Sequence, residues 1–374
     1  MSVAIPLADI ADCWLRDLAR TTGSPALAAI DGATLLGERA MLGGFRIPQR
    51  RSAGGGCRLY DARTATVALN LARADDRDLL PALFESDGDV AGDDAVAALI
   101  AACDPAELVA RGRLLGLAIA GETESPPAAC TVLTRAPPAP PPARAPRVLD
   151  LSALWAGPLA THLLGLAGAD VTRVESRSRP DAMRSGDAGL FALLDQGKQN
   201  VVLDLHDPQG REMLLGLIAA SDIVIEAARP RALEQLGIHA ADRVRMQPGL
   251  SWITITGHGA SGAAAHWVGF GDDCGVAAGL TAALRRASGQ AGFVGDAIAD
   301  PLTGIFAARA AWQAWAAGGG VRLGIAMSGT VAMAIDVAAT LDAAAFDRAL
   351  VAWAAAAGMP FPQVARRVVG APAC

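Results

Sequence analysis

The chain has 374 residues, 52% of them hydrophobic and 19% charged, with a formal net charge of −6. At about 150 residues per domain this length allows two domains, and the composition excludes a disordered or collagen-like chain. The acidic balance argues against nucleic acid as a partner.

Six cysteines, Cys13, Cys57, Cys103, Cys130, Cys274 and Cys374, show no CxxC or Cys/His spacing. That pattern reads as free thiols in a reducing compartment, the cytoplasm, with no metal site. Arg322 and Asp336 bracket the most hydrophobic late segment, so neither a leader nor a membrane-spanning run of about 18 apolar residues is expected.

In chain order, a helical pattern around Cys13 to Leu18 comes first. A glycine turn at Gly54 to Gly56 follows, then strand-like alternation over Cys57 to Tyr60 and Thr66 to Leu71. Helical segments lie near Asp76 to Phe84 and Asp94 to Ala102. Residues 126–146 are proline-dense and read as an extended spacer, because proline removes backbone donors. The expected division is a smaller α+β domain over 1–125, a linker over 126–146 and a large domain over 147–374.

Beyond the linker, apolar runs of strand length alternate with helical segments. The strands are Arg147 to Leu151, Ala169 to Glu175, Asn200 to Leu205, Asp222 to Glu226 and Ser251 to Thr256; the helices are Pro158 to Leu166, Pro208 to Ala219 and Pro230 to Leu236. This alternation predicts an α/β fold, a doubly wound, Rossmann-like parallel sheet. No GxGxxG follows the first strand, where Ala156, Gly157 and Pro158 stand, which makes an ordinary NAD-dependent dehydrogenase a poor reading. The P-loop pattern is absent too, since Lys198, the only lysine, precedes a strand and is not followed by Ser or Thr.

Several segments, in order, carry a resemblance. VLDLSALWAGPLATHLLGLAGADVTRVE (Val148 to Glu175) is followed by LDQGKQNVVLDLHDPQGRE, IEAARPRALEQLGI, WITITGHGASG and, from Gly295, GDAIADPLTGIFAARAAWQAW. Together they resemble the family III CoA-transferases, and motifs matching in series are more specific than any one alone. The resemblance implies an enzyme that moves CoA between an acyl-CoA and a carboxylic acid, with CoA as substrate and no tightly bound cofactor. It puts Asp300 at the nucleophile position, passing through an aspartyl anhydride and an aspartyl thioester. Read without the resemblance, Asp300 before Pro301 is equally an N-cap and first-turn pair.

For CoA the resemblance implies Trp155, Ala156, Arg177, Lys198, Leu203, His206, Ala227, Ala228 and Arg229, with Arg179 as an alternative to Arg177. Gly257, Gly259 and Gly262 are candidate backbone donors for an oxyanion, or only a turn. Phe270 stands where related racemases carry histidine and Gly271 where some transferases carry glutamate. Asp272 and Asp273 are candidate substitutes, or a helix-opening acidic pair. His162, His239 and His266 read as surface or capping residues.

Two other functions stay open: an acyl-CoA racemase or epimerase on the same fold, and a CoA-binding homologue without catalysis. The segment Cys57 to Glu85 resembles the family's small domain, here placed first instead of after the nucleophile. The resemblance also implies an interlocked homodimer, in which the N-terminal domain of one chain faces Asp300 of the other.

Overall fold

The computed structural model describes residues 3–367 apart from 87, 89 and 91; Cys374 lies outside them. Three helices open the chain: α1 (Ala8–Thr22), α2 (Pro25–Ala28) and α3 (Gly32–Leu42). An antiparallel sheet follows, built of β1 (Cys57–Asp61), β2 (Thr66–Asn70) and β3 (Ala118–Gly121). A 3-10 turn (Ala74–Leu79), α4 (Leu80–Phe84), α5 (Asp93–Ala102) and α6 (Pro105–Leu114) intervene between β2 and β3. This unit has its own core, with Val67, Leu69, Leu83, Ile100 and Ile119 buried together.

The strands of the larger sheet are β4 (Cys130–Arg135), β5 (Arg147–Leu151), β6 (Asp170–Ser176), β7 (Gln199–Leu203), β8 (Ile223–Glu226), β9 (Ser251–Thr256) and β10 (Val321–Ala326). They are ordered β4-β10-β9-β8-β5-β6-β7, parallel except for the antiparallel edge strand β4. The order reverses between β5 and β8, the switch point outside which open α/β sheets bind ligands. The sequence-read strands β5 and β9 have the residues observed, and the others shift by one or two.

The connecting helices are α7 (Ala156–Leu166), α8 (Met183–Gly186), α9 (Ala188–Asp195), α10 (Pro208–Ala220), α11 (Pro230–Glu234) and α12 (Ala240–Met246). Four more complete the chain: α13 (Gly271–Ala277), α14 (Leu280–Ser288), α15 (Ala299–Ala316) and α16 (Met327–Ala355). The last is interrupted at Asp342, whose carboxylate accepts from the Ala345 N–H at 2.8 Å and restarts the helix. By length and hydropathy α16 alone among the described helices is apolar enough to cross a membrane, but its first turn, Met327 to Val331, is buried in the core.

Two expectations about organisation change. Residues 126–146 are not a bare spacer, because the proline-free CTVLTR within them keeps every N–H and forms β4 against β10. The prolines after it run beside the Gly318 to Gly320 turn, where Ala136 and Ala139 donate to the Gly320 and Gly318 carbonyls. The helices α1 to α3 also do not join the small unit. Leu15, Leu18, Leu35 and Leu36 are buried in the large core with Leu159, Leu302 and Ile305, so this segment forms an outer helical layer over α7 and α15.

Candidate active site

Asp-Pro pairs show how local sequence places the key carboxylate. At α6 and α10 the pairs Asp104-Pro105 and Asp207-Pro208 are N-cap and first helical residue, with the aspartate accepting N–H groups of its own helix. The same dipeptide at Asp300-Pro301 sits two positions deeper, since α15 begins at Ala299 with Ile298 as its N-cap. Asp300 therefore does not cap its helix. Its Oδ1 instead accepts the backbone N–H of Ala156, at the start of α7, at 3.3 Å.

Both turns that meet here hold strained backbone: Leu154 has φ 68° and Ala297 φ 42°, left-handed values that non-glycine residues adopt at a cost. Asp272 pins the second turn by accepting the Ala297 N–H at 3.0 Å. Gly271 is required by close approach. A Cβ there would lie 2.2 Å from the Ala297 carbonyl oxygen and 2.4 Å from Asp300 Oδ2, so this site has no room for the glutamate found at that place in some transferases.

Four carboxylates converge. Asp296 is fully buried with one oxygen lacking a partner, Asp273 is fully buried, and Asp272 and Asp300 are partly exposed. Removal from water pushes Asp300 up to about 7; Arg39 pulls it back, as does the Ala156 N–H, while Asp272 and Asp273 add to the rise. Desolvation likewise carries Asp296 to about 7 and Asp272 to about 6 against the pull of Arg39. Arg39 reaches Asp296 Oδ1 at 3.0 Å and lies over the Trp155 ring, 5.4 Å from its centre. Asp273 is bonded elsewhere, accepting from Phe270 N and, across to β2, from Asn70 Nδ2 at 3.1 Å. Asp273 thereby joins the small unit to α13 of its own chain.

His258, Asp273 and Cys274 place donor atoms within 4.8 Å of one another. The His258 Nε2 to Asp273 distance of 3.8 Å and the two hydrogen bonds already made by Asp273 describe a packed polar cluster.

The sequence-read CoA residues divide. Trp155 and Ala156 adjoin Asp300, and Arg177, Arg179, Leu203 and Ala227 to Arg229 all lie at the carboxyl ends of β6, β7 and β8. Arg177, Arg179 and Arg229 are exposed. Desolvation, with Arg73 and Arg179 nearby, lowers the Arg229 pKa; Arg73 itself is held within the small unit by Asp76 and the Gly116 carbonyl.

Lys198 does not belong with the groups at the strand ends. Its Nζ is buried and spent on Asp150 at 2.9 Å, the Pro158 carbonyl at 2.9 Å and Thr161 Oγ1 at 2.7 Å. Leu203 is buried and offers only backbone, its carbonyl accepting from Arg177 N. His206 is exposed, its N–H turned to Asp204.

The glycine donors also change. The Gly259 N–H is taken by Thr256 Oγ1 at 3.2 Å. Gly257 serves close packing, since a Cβ there would lie 2.9 Å from Gly269 Cα. The Ala156 N–H, at the α7 start, is the donor that faces the carboxylate. His162 is buried beside Arg367 and depressed to about 3 by burial, so it is neither a surface nor a capping residue.

Sequence reading missed Arg39 and Asp296. The second had a signal: GDAIAD repeats aspartate four residues apart, one helical turn, at the very helix start. Arg39 had none, because it comes from a helix whose bond to Asp296 spans 257 positions of the chain.

A doubly wound sheet whose carboxyl edge gathers carboxylates at two helix starts, with basic groups alongside, is of the α/β class in which ligands bind outside the strand ends. Residues 146–353, over half of the chain, match CoA-transferase family III, and the chain belongs to that family. It is 30% identical over 168 residues to the succinyl-CoA:glutarate CoA-transferase of Mus musculus, covering 43% of this chain and 38% of that protein. It is 31% identical over 169 residues to the succinyl-CoA–D-citramalate CoA-transferase of Chloroflexus aurantiacus, covering 43% and 42%. The chain thus spans about two fifths of the length of these relatives. A hypothetical protein of Mycobacterium tuberculosis of known crystal structure is similar at 28% identity and TM-score 0.48, covering 56% of this chain and 61% of that one.

Proposed function

We propose that the chain transfers CoA between an acyl-CoA and a carboxylic acid, with Asp300 as nucleophile. The observation that carries this reading is the placement of Asp300. It is partly exposed at the carboxyl edge, held by the Ala156 N–H instead of capping its own helix. An Asp300 oxygen attacks the thioester carbonyl carbon, the C–S bond breaks and CoA leaves as thiolate. The thiolate then attacks the Asp300 carbonyl of the anhydride, releasing the donor's carboxylate and leaving an aspartyl-CoA thioester. The acceptor carboxylate attacks that thioester, and returning thiolate completes its CoA ester and frees Asp300. The two attacks on the Asp300 carbonyl put an oxyanion on that group, for which the Ala156 N–H is a candidate donor.

CoA supplies phosphates, and the exposed Arg179 and Arg229 support phosphate binding at the ends of β6 and β8. The same reading makes the protein a cytoplasmic homodimer, for which the exposed Leu341, Val351 and Met359 offer apolar surface; light scattering giving the mass of a single chain would remove the dimer.

The test is trapping. Incubation with succinyl-CoA followed by hydroxylamine should convert Asp300, and no other aspartate, to a hydroxamate seen by peptide mass, with Asp300→Asn unlabelled. No adduct on Asp300 together with unchanged turnover in Asp300→Asn refutes the assignment.

A further inference from the structure

Arg39 lies far from the motif-bearing segments of the chain, in the helix layer that precedes both sheets, yet its guanidinium ends at the carboxylates. It bonds Asp296 at 3.0 Å, approaches Asp187 Oδ2 at 3.5 Å, and stacks over Phe45 and Trp155 at 5.6 and 5.4 Å from the ring centres. The turn at Gly54 closes over it, where a Cβ would come within 2.7 Å of Nη2. Trp155 is followed by Ala156, the residue whose N–H holds Asp300. Arg39 thus touches both turns that frame the nucleophile, Trp155 on one side and Asp296 on the other.

We infer that Arg39 is a positioning residue for Asp300, holding the Trp155 and Asp296 turns together and supplying the positive charge that keeps the nucleophile ionised. The inference deepens the transfer reading and rests on it for the word nucleophile. The charged and titratable groups around Asp300 are Arg39 from α3, Asp272, Asp273 and Cys274 from α13, and Asp296 before α15; Asp187, before α9, faces Arg39 and Asp296. Among these, Asp272 and Asp273 raise the Asp300 pKa and Arg39 lowers it, while Asp296 occupies the Arg39 guanidinium. Attack needs the anion, so the reaction depends on that balance.

Two variants push the balance in opposite directions. Arg39→Met removes the cation, so the Asp300 midpoint should rise by about one pH unit or more. Asp296→Asn removes an acid and frees the cation, so the midpoint should fall. Arg39→Lys retains charge and should stay near wild type. Midpoints are read by carbon NMR of protein labelled at the aspartate carboxyl carbon, with Asp300→Asn assigning the resonance. This readout needs no substrate.

Trapping with succinyl-CoA is the second readout. In Arg39→Met the trapping rate should fall about tenfold at pH 6, recover toward wild type at pH 9, and be largely rescued in Arg39→Lys. A midpoint unmoved in both Arg39→Met and Asp296→Asn overturns the inference, as does a loss in Arg39→Met that is equal at every pH. If the wild-type protein forms no adduct, the transfer reading falls while the NMR midpoints still decide the role of Arg39. If Arg39→Met does not fold, the fall in Asp296→Asn, or its absence, decides alone.

Discussion

Asp300→Asn should stabilise the protein at alkaline pH. The carboxyl is carried from its ordinary value of 3.8 to about 7 by removal from water and by the neighbouring acids. An acid with a raised folded pKa holds a proton in the folded state that the unfolded chain has released. Stability is therefore present below the unfolded value and is lost as pH rises from about 4 through about 7. The full displacement corresponds to an upper limit of about 4 kcal/mol above pH 7. Partial exposure and the charge shared with Asp272 and Asp296 reduce this, and a gain of about 1 to 2 kcal/mol at pH 8 is expected. Asparagine keeps the shape and the bond from Ala156 but never ionises, so the gain should vanish near pH 4. Urea unfolding of wild type and Asp300→Asn at pH 4.5 and 8, at constant ionic strength, gives the difference directly. A difference in stability that is the same at both pH values would refute the electrostatic argument, and a loss at pH 8 would show that the ionised carboxylate stabilises the fold.

Other substitutions test the remaining contacts. Gly271→Ala places a methyl against the Ala297 carbonyl and Asp300 Oδ2; it should abolish Asp300 trapping and lower the melting temperature by several degrees. Lys198→Met removes one member of a buried pair and should cost about 3 kcal/mol in urea unfolding, whereas a lysine that served only to bind CoA would leave stability untouched and weaken CoA in a titration. His162, neutral in the fold with its pKa near 3, contributes stability that is complete above about pH 6.5 and declines toward pH 3. At pH 5 this loss is about 2 kcal/mol, and His162→Asn should flatten that part of the stability curve.

The parallel sheet was legible because its strands are buried on both faces. The unbroken apolar run Ile223 to Ile225 in β8 and the β-branched and aromatic run Trp252 to Thr256 in β9 stand beside Pro230 and Pro248, signals that are local in sequence. The edge strand β4 was hidden by composition, since six proline-free residues sit in a proline-dense stretch and pair with β10 nearly 200 positions later. Lys198 misled for a related reason. Its type and position in a turn suggested an anion ligand, but its partners Asp150, Pro158 and Thr161 converge only after β5, α7 and β7 have packed.

The candidate site shows the same division between local and assembled information. Asp300 was identified from its own segment, whereas its environment comes from three separated parts of the chain. Ala156 begins α7, Asp272 and Gly271 begin α13, and Arg39 ends the outer helical layer. No periodicity links those positions, because each reaches the site through packing with a different partner. That arrangement makes the first 50 residues part of the large unit's function as well as its core: Leu35 and Leu36 bury α3 against the large unit, and Arg39, one turn later, is thereby fixed at the acids. Shaving the buried leucine should therefore act at a distance. Leu36→Ala is expected to cost about 2 to 5 kcal/mol and, in the fraction still folded, to shift the pH dependence of Asp300 trapping in the direction of Arg39→Met. A stability loss with an unmoved pH profile would mean that Arg39 is held by Asp296 and the Trp155 and Phe45 rings alone, independently of how its helix is seated.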